Sequence, residues 1–289
     1  MTAGNRRRRM VADAIFADEI GIEYAVHEDF RLRSTYQPIF APRGELLRMV
    51  AVEAAVEAHH RGCSVSPAIF LDAVLPGERP FVDALCRTLH LRNFRNIGLD
   101  GLKLFFGFDL DVNDGAGRTV SELRLMAGRL DELGLHPGQV MCQVAGGHAD
   151  EPDLLCEVAY EMRASGLGVV LSGFGTGHES EQQVDVIRPH VVRVDGPLFA
   201  LLCSYPAAGH LFGRLVSMLQ DAGVEVLVEG IETARQLRVA LEAGADLLQG
   251  LLLARPLAAG AFFDESPLVI DRLLPRADAA MALRPDRGR

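Results

Sequence analysis

The chain has 289 residues, a formal net charge of −10 and 49% hydrophobic residues, with no Trp. That length suits one large domain or two small ones, and the aliphatic composition supports a sizeable core. The acid excess opposes nonspecific nucleic-acid binding, which rests on neutralising phosphates, and no apolar run reaches the roughly 18–20 residues of a membrane span.

The opening "MTAGNRRRRMVADAIF" carries a basic patch, Arg6 to Arg9, but no apolar signal core before charge returns at Asp18 and Glu19. The expectation is a frayed N-terminal tail on a soluble cytoplasmic protein, the arginines being free to meet an acidic partner or an anionic membrane surface. Residues 1–30 read as an extension, a basic tail followed over 10–30 by a helix and a short connection. Five cysteines, Cys63, Cys86, Cys142, Cys156 and Cys203, form no CxxC pair and read as reduced thiols.

From residue 31 short β-like runs alternate with helical stretches. The strand candidates are 35–40, 47–56, 102–108, 140–145, 167–172, 191–195, 224–230 and 245–254. Helical patterns fall at 67–75, 80–96, 117–134, 151–165, 179–188, 207–222 and 232–243. Several strands are apolar on both faces, as parallel strands covered by helices must be. Eight strand candidates over about 225 residues fit a (β/α)8 barrel. A doubly wound open sheet is the alternative, disfavoured because no glycine-rich dinucleotide fingerprint follows the first strand. The first two runs are joined by "APRG", too short for a crossover helix. The expected fold is therefore α/β, a modified (β/α)8 TIM-like barrel with one antiparallel strand. It spans residues 31–258, and residues 259–289 add one helix, "FFDESPLVIDRLL", and a tail. His59, His60 and Cys63 do not read as a metal site; they are expected at the end of a surface helix.

A barrel places its active site at the C-terminal ends of its strands. Read in order, those ends include "YQPIF", "AVEAAVEA", "GFGTG", "VEGIET", "QG" and "ARPL". Together they resemble the EAL domain, the bacterial family of cyclic di-GMP phosphodiesterases and their inactive relatives. The resemblance covers about residues 31–257. It implies two divalent cations at the mouth, held by oxygen ligands, and a metal-activated water that attacks a phosphodiester.

The family's ligand positions then map onto this sequence as follows. The signature Glu is Glu53, although the tripeptide reads Glu53-Ala54-Ala55. The expected Asn falls at Gly107, the Glu of a Thr-Glu pair at Ala145, the Asp-Asp pair at Ser172 and Gly173, and the Lys at Arg193. An arginine stays protonated at any ordinary pH and cannot act as a base. Asp195, Glu229 and Gln249 are kept, with Glu232 behind Glu229. An Arg that would face a phosphate falls at Glu57, a charge reversal worth roughly 1–4 kcal/mol per unit interaction. The positions left for a ligand are Gln37, Arg193, Glu232 and Pro256. Glu53, Asp195 and Glu229 read as remnants bonded to neighbours such as Arg193, because a buried carboxylate needs a partner.

The resemblance with these departures implies a degenerate EAL domain: a catalytically inactive protein acting in bacterial signalling by protein–protein interaction. Two alternatives stand beside it, a non-catalytic cyclic di-GMP receptor and a residual phosphodiesterase using Glu53, Glu229 and Gln249. No cofactor is expected, and Mg2+ or Mn2+ enters only with residual activity. A homodimer is expected through the loop after strand five, which holds His178 and Glu179.

Overall fold

Fourteen residues of antiparallel pairing organise the start of the domain. The computed structural model describes residues 10–108, 110, 116–145, 152–172 and 181–274. After a 3-10 turn at Val11–Ala14 come β1 (Ile15–Ala17), β2 (Glu23–His27), β3 (Phe30–Arg43), β4 (Leu46–His60) and β5 (Cys63–Val65). Then follow α1 (Pro67–Ala73), α2 (Arg79–Phe94), β6 (Lys103–Phe108), α3 (Ala116–Ala127), β7 (Val140–Ala145), α4 (Pro152–Ala164) and β8 (Gly168–Ser172). The chain continues with α5 (Glu181–Ile187), β9 (Val191–Val194), α6 (Gly196–Ser204), α7 (Pro206–Asp221), β10 (Glu225–Val228), α8 (Ala234–Glu242) and β11 (Leu247–Leu248). It ends with β12 (Leu257–Ala258), β13 (Leu268–Val269) and α9 (Ile270–Leu273).

Strands β4, β6, β7, β8, β9, β10 and β11 run parallel in that order, and β3 closes the sheet by pairing with both β4 and β11. The result is an eight-stranded barrel in which β3 alone runs antiparallel to its neighbours. Closure excludes the open doubly wound sheet. The two-residue turn between Arg43 and Leu46, with Gly44 at φ 62°, forces the reversal.

Burial follows from strand periodicity. One set of side chains, Ile39, Ala51, Phe105, Met141, Val170, Val191, Leu227 and Leu247, packs into a single cluster inside the barrel. The alternate residues, such as Val169, Leu171 and Val226, join the larger cluster shared with the helices. Both β8 and β9 are buried along their whole length, which accounts for their mostly apolar sequence, broken only by Ser172 and Arg193 at the inward-facing mouth positions. Each large side chain so buried stabilises the fold by about 1.5–3 kcal/mol.

The helix expected within 10–30 is not formed beyond the 3-10 turn at Val11–Ala14. In its place β1 and β2 extend the sheet from β3. Asn93 of α2 holds this ribbon: its Oδ1 accepts from the Glu23 backbone N–H at 2.9 Å and its Nδ2 donates to the Glu23 carbonyl at 2.8 Å. Arg92 adds an ion pair to the Glu23 carboxylate at 2.6 Å. His59, His60 and Cys63 also sit on strands and not on a helix, and β4 turns into β5 at Arg61 and Gly62, both at positive φ. The His60 ring lies tilted against Phe30 and the adjacent His59 faces the other way, so the two do not converge. The C-terminal helix is shorter than expected. Leu268 and Val269 pair with the start of β4, and only Ile270–Leu273 is helical. The Arg6 to Arg9 patch and the tail from 275 lie outside the described residues.

Among the described residues no helix is long and apolar enough to cross a membrane. Burial pushes the Cys86 and Cys142 thiols up to about 12, away from the thiolate form.

His90, on α2, is 5% exposed and bonded through Nδ1 to the Ser34 hydroxyl at 2.8 Å. Burial, helped by the nearby Arg87 charge, lowers its pKa to about 4. The unfolded state, with an ordinary histidine near 6.5, takes up a proton first as pH falls, so protonation favours unfolding. Stability should therefore hold above pH ~6.5 and fall by up to about 3 kcal/mol as pH drops towards 4. Urea melts of wild type and His90→Gln across that window test this. An unchanged pH slope in the variant would remove His90 as the cause.

Candidate functional site

The barrel mouth is built by one step of strand periodicity. Two residues beyond each member of the inner apolar layer, the side chain again faces inward. Those positions are Glu53 on β4, Gly107 on β6, Gln143 on β7, Ser172 on β8 and Arg193 on β9, with Glu229 and Gln249 just past β10 and β11. Gln37 completes the ring from β3, where the chain runs the other way and the step is backwards. A layer of aliphatic and aromatic side chains thus lies directly beneath a layer of polar ones.

Arg193 is the hub of the polar layer and is 4% exposed. Its Nε donates to Glu229 Oε2 at 2.7 Å. Nη1 donates to Glu53 Oε1 and to Gln143 Oε1, the latter at 2.5 Å. Nη2 donates to Glu53 Oε2 at 2.9 Å and to Gln249 Oε1 at 3.2 Å. These five bonds match the five N–H donors of a guanidinium. The Glu53 pair is bidentate, the strongest arrangement for this chemistry. Gln249 Nε2 also donates to Glu53 Oε2 at 2.9 Å, which turns its carbonyl oxygen towards Arg193. Burial disfavours the charge on Arg193, but the Glu53 and Glu229 carboxylates outweigh it and the pKa is raised.

The other candidate residues are placed differently. Asp195 is the N-cap residue of α6, partly exposed, and its side chain makes no capping bond. It does not join the bonds around Arg193. Glu232 and Pro256 are exposed, and the Glu232 backbone N–H is taken by the Gln236 side chain. Gln37 Nε2 donates to the Ala254 carbonyl at 3.1 Å, tying β3 to the segment after β11. The Ser172 hydroxyl donates to the Val144 carbonyl at 3.2 Å and is absorbed by the sheet. Ala145 pairs with Ser172 at the end of β7. Gly107 has open space where a side chain would stand. Gly173, His178 and Glu179 lie outside the described residues. Sequence reasoning missed Gln143. Its signal was present: a lone polar residue between Cys142 and Val144, two beyond Met141, must face the barrel interior.

The model of the family described as EAL domain matches residues 22–256, most of the chain. The chain belongs to the EAL domain family. The match starts inside the N-terminal ribbon, in keeping with β2 being part of the sheet. This EAL domain is 24% identical over 171 residues to the cyclic di-GMP phosphodiesterase RocR of Pseudomonas aeruginosa, covering 59% of this chain and 43% of that protein. It is also 24% identical over 234 residues to the bifunctional diguanylate cyclase/cyclic di-GMP phosphodiesterase MucR of the same species, covering 78% of this chain and 33% of the relative. The chain thus spans less than half the length of either relative. Among solved structures, it resembles the Bacillus subtilis YkuI protein, which has an EAL domain, in complex with cyclic di-GMP and calcium. The TM-score is 0.69 at 22% identity, over 84% of this chain and 59% of that one. A standalone EAL protein from Vibrio cholerae, bound to cyclic di-GMP, gives 0.69 at 18%, over 83% and 98%.

The two divalent cations that the family implies find a poor fit in this EAL domain. The oxygens of Glu53, Gln143, Glu229 and Gln249 all face one guanidinium. A divalent ion ~4 Å from that charge would meet roughly 8 kcal/mol of repulsion at an effective dielectric of ~20. Among the described residues no group of three His, Cys, Asp or Glu is placed to hold a metal.

Proposed function

We propose that this EAL domain is catalytically inactive and acts in bacterial signalling by binding a protein partner. The observation that carries the reading is the saturation of Arg193, whose donors already engage the mouth's carboxylate and amide oxygens. Those oxygens are the groups a hydrolytic metal pair would need. The same saturation argues against a cyclic di-GMP receptor, since Arg193 keeps no N–H for a phosphate. Glu57 adds a negative charge further along β4, opposite Arg33 and 3.9 Å from the His59 ring. The reading puts the protein in the cytoplasm, with a homodimer formed through the loop after the fifth barrel strand of the sequence reading, a loop that lies outside the described residues.

With Mg2+ or Mn2+ present, purified protein should leave cyclic di-GMP uncleaved, as followed by chromatography. Turnover above background that Glu53→Gln abolishes would overturn the inactive reading. Calorimetric titration should give no heat at ~100 μM cyclic di-GMP, far above a signalling-range affinity; a saturable isotherm would favour the receptor. Affinity capture that returns no specific partner under any of several growth conditions would sink the interaction half.

A further inference from the structure

We infer that the Arg193 guanidinium is the resident cation of the barrel mouth, and that removing this one side chain turns the surrounding oxygens into a divalent-cation site. The inference rests on the inactive reading and deepens it by naming what replaced the metal.

Three observations support it. First, the acceptors are of one kind. Two carboxylates and two side-chain amide oxygens surround Arg193, and these are the donors that hard cations such as Ca2+, Mg2+ and Mn2+ take. Second, the oxygens are already turned inward. Gln249 offers Oε1 to Arg193 because its Nε2 is held by Glu53, and Gln143 offers Oε1 as well. Third, the charge balance favours a cation. Glu53 and Glu229 bear two negative charges on a polar layer that sits directly on the apolar barrel core, and Arg193 is the only group bonded to both among the described residues. With the guanidinium gone, the carboxylates would repel each other across the vacated space. A cation with a few waters fills such a gap better than a rigid side chain, since Ca2+ accepts 6–8 oxygen ligands in flexible geometry.

Wild type should then be indifferent to divalent metal, unlike variants lacking the charge. The experiment compares wild type, Arg193→Ala, Arg193→Met and Arg193→Lys. The Met variant keeps much of the side-chain volume without its charge, and the Lys variant keeps a cation. Thermal melts are run with and without ~10 mM Ca2+, and Mn2+ binding is read by equilibrium dialysis. Wild type and Arg193→Lys should shift by less than ~1 °C and retain no Mn2+. The Ala and Met variants should gain roughly 5 °C in Ca2+ and bind about one Mn2+ per chain. That binding should vanish when Glu53→Gln is added.

If the Ala and Met variants fold but bind no cation, the inference fails while the inactive reading stands. If both stay unfolded even in Ca2+, the inference fails in the same way, since a cation should rescue them. If wild type itself binds Mn2+ and loses it on Glu53→Gln, both fall. Cyclic di-GMP turnover by wild type, with the variants binding metal as expected, would sink the inactive reading alone.

Discussion

Arg193→Ala should lower the stability of the fold by about 2–4 kcal/mol in metal-free buffer, less than for a wholly buried pair because the Glu229 side chain is 37% exposed and keeps part of its hydration. The loss comes less from missing attraction than from what is left behind. Glu53 would lose both bonds of its bidentate pair and keep only the 2.9 Å contact from Gln249. Glu229 and Gln143 would lose the bonds the guanidinium makes to them. Arg193→Lys should cost less, about 1–2 kcal/mol, because an ammonium keeps the charge but cannot reproduce the planar fork. Adding Glu53→Gln to Arg193→Met should recover part of the loss, since the uncompensated charge then disappears. Urea melts of the four proteins test the order. An Arg193→Ala cost below about 1 kcal/mol would show that the cluster is solvated and not structural.

Gly250→Ala should be comparably damaging, at about 4 kcal/mol, at the high end for overpacking because backbone cannot yield as a side chain can. A Cβ at Gly250 would stand 2.1 Å from the Ile231 carbonyl oxygen and 2.3 Å from its nitrogen. The close approach is required by the hydrogen bonds that lace the segments after β10 and β11 together. Ile231 N–H donates to the Gln249 carbonyl and Leu252 N–H to the Ile231 carbonyl, both at 3.0 Å. The same lacing sets Glu229 beside Gln249, so the substitution should also pull an acceptor away from Arg193. A Gly250→Ala protein that melts within about 1 kcal/mol of wild type would show that this backbone contact is loose. The glycine after Gln249 is thus explained by packing alone, with no ligand needed.

Much of the barrel was legible because it depends on local pattern. Valine-rich runs at 167–172 and 191–195 announced buried parallel strands, and the short "APRG" connection announced the antiparallel one. Misreadings fell where distant contacts override local preference. Residues 10–30 carry apolar spacing that suits a helix, yet Asn93, 70 positions away from Glu23, pairs with its backbone and holds the segment extended. The helix α6 was missed because "GPLFALLCS" is apolar on every side and shows no amphipathic period.

The sequence by itself determined the family, the order of the barrel strands and the candidates Glu53, Arg193, Glu229 and Gln249 at the mouth, since strand period and motif order are properties of the chain alone. It also named Arg193 as a partner for Glu53 and Glu229. Only the tertiary structure decided that all five guanidinium donors are used, that Gln143 belongs to the cluster and that Asp195 stands outside it. The reason is geometric. Glu53 and Arg193 are 140 positions apart, and no local rule states how closely a closing barrel brings their side chains together.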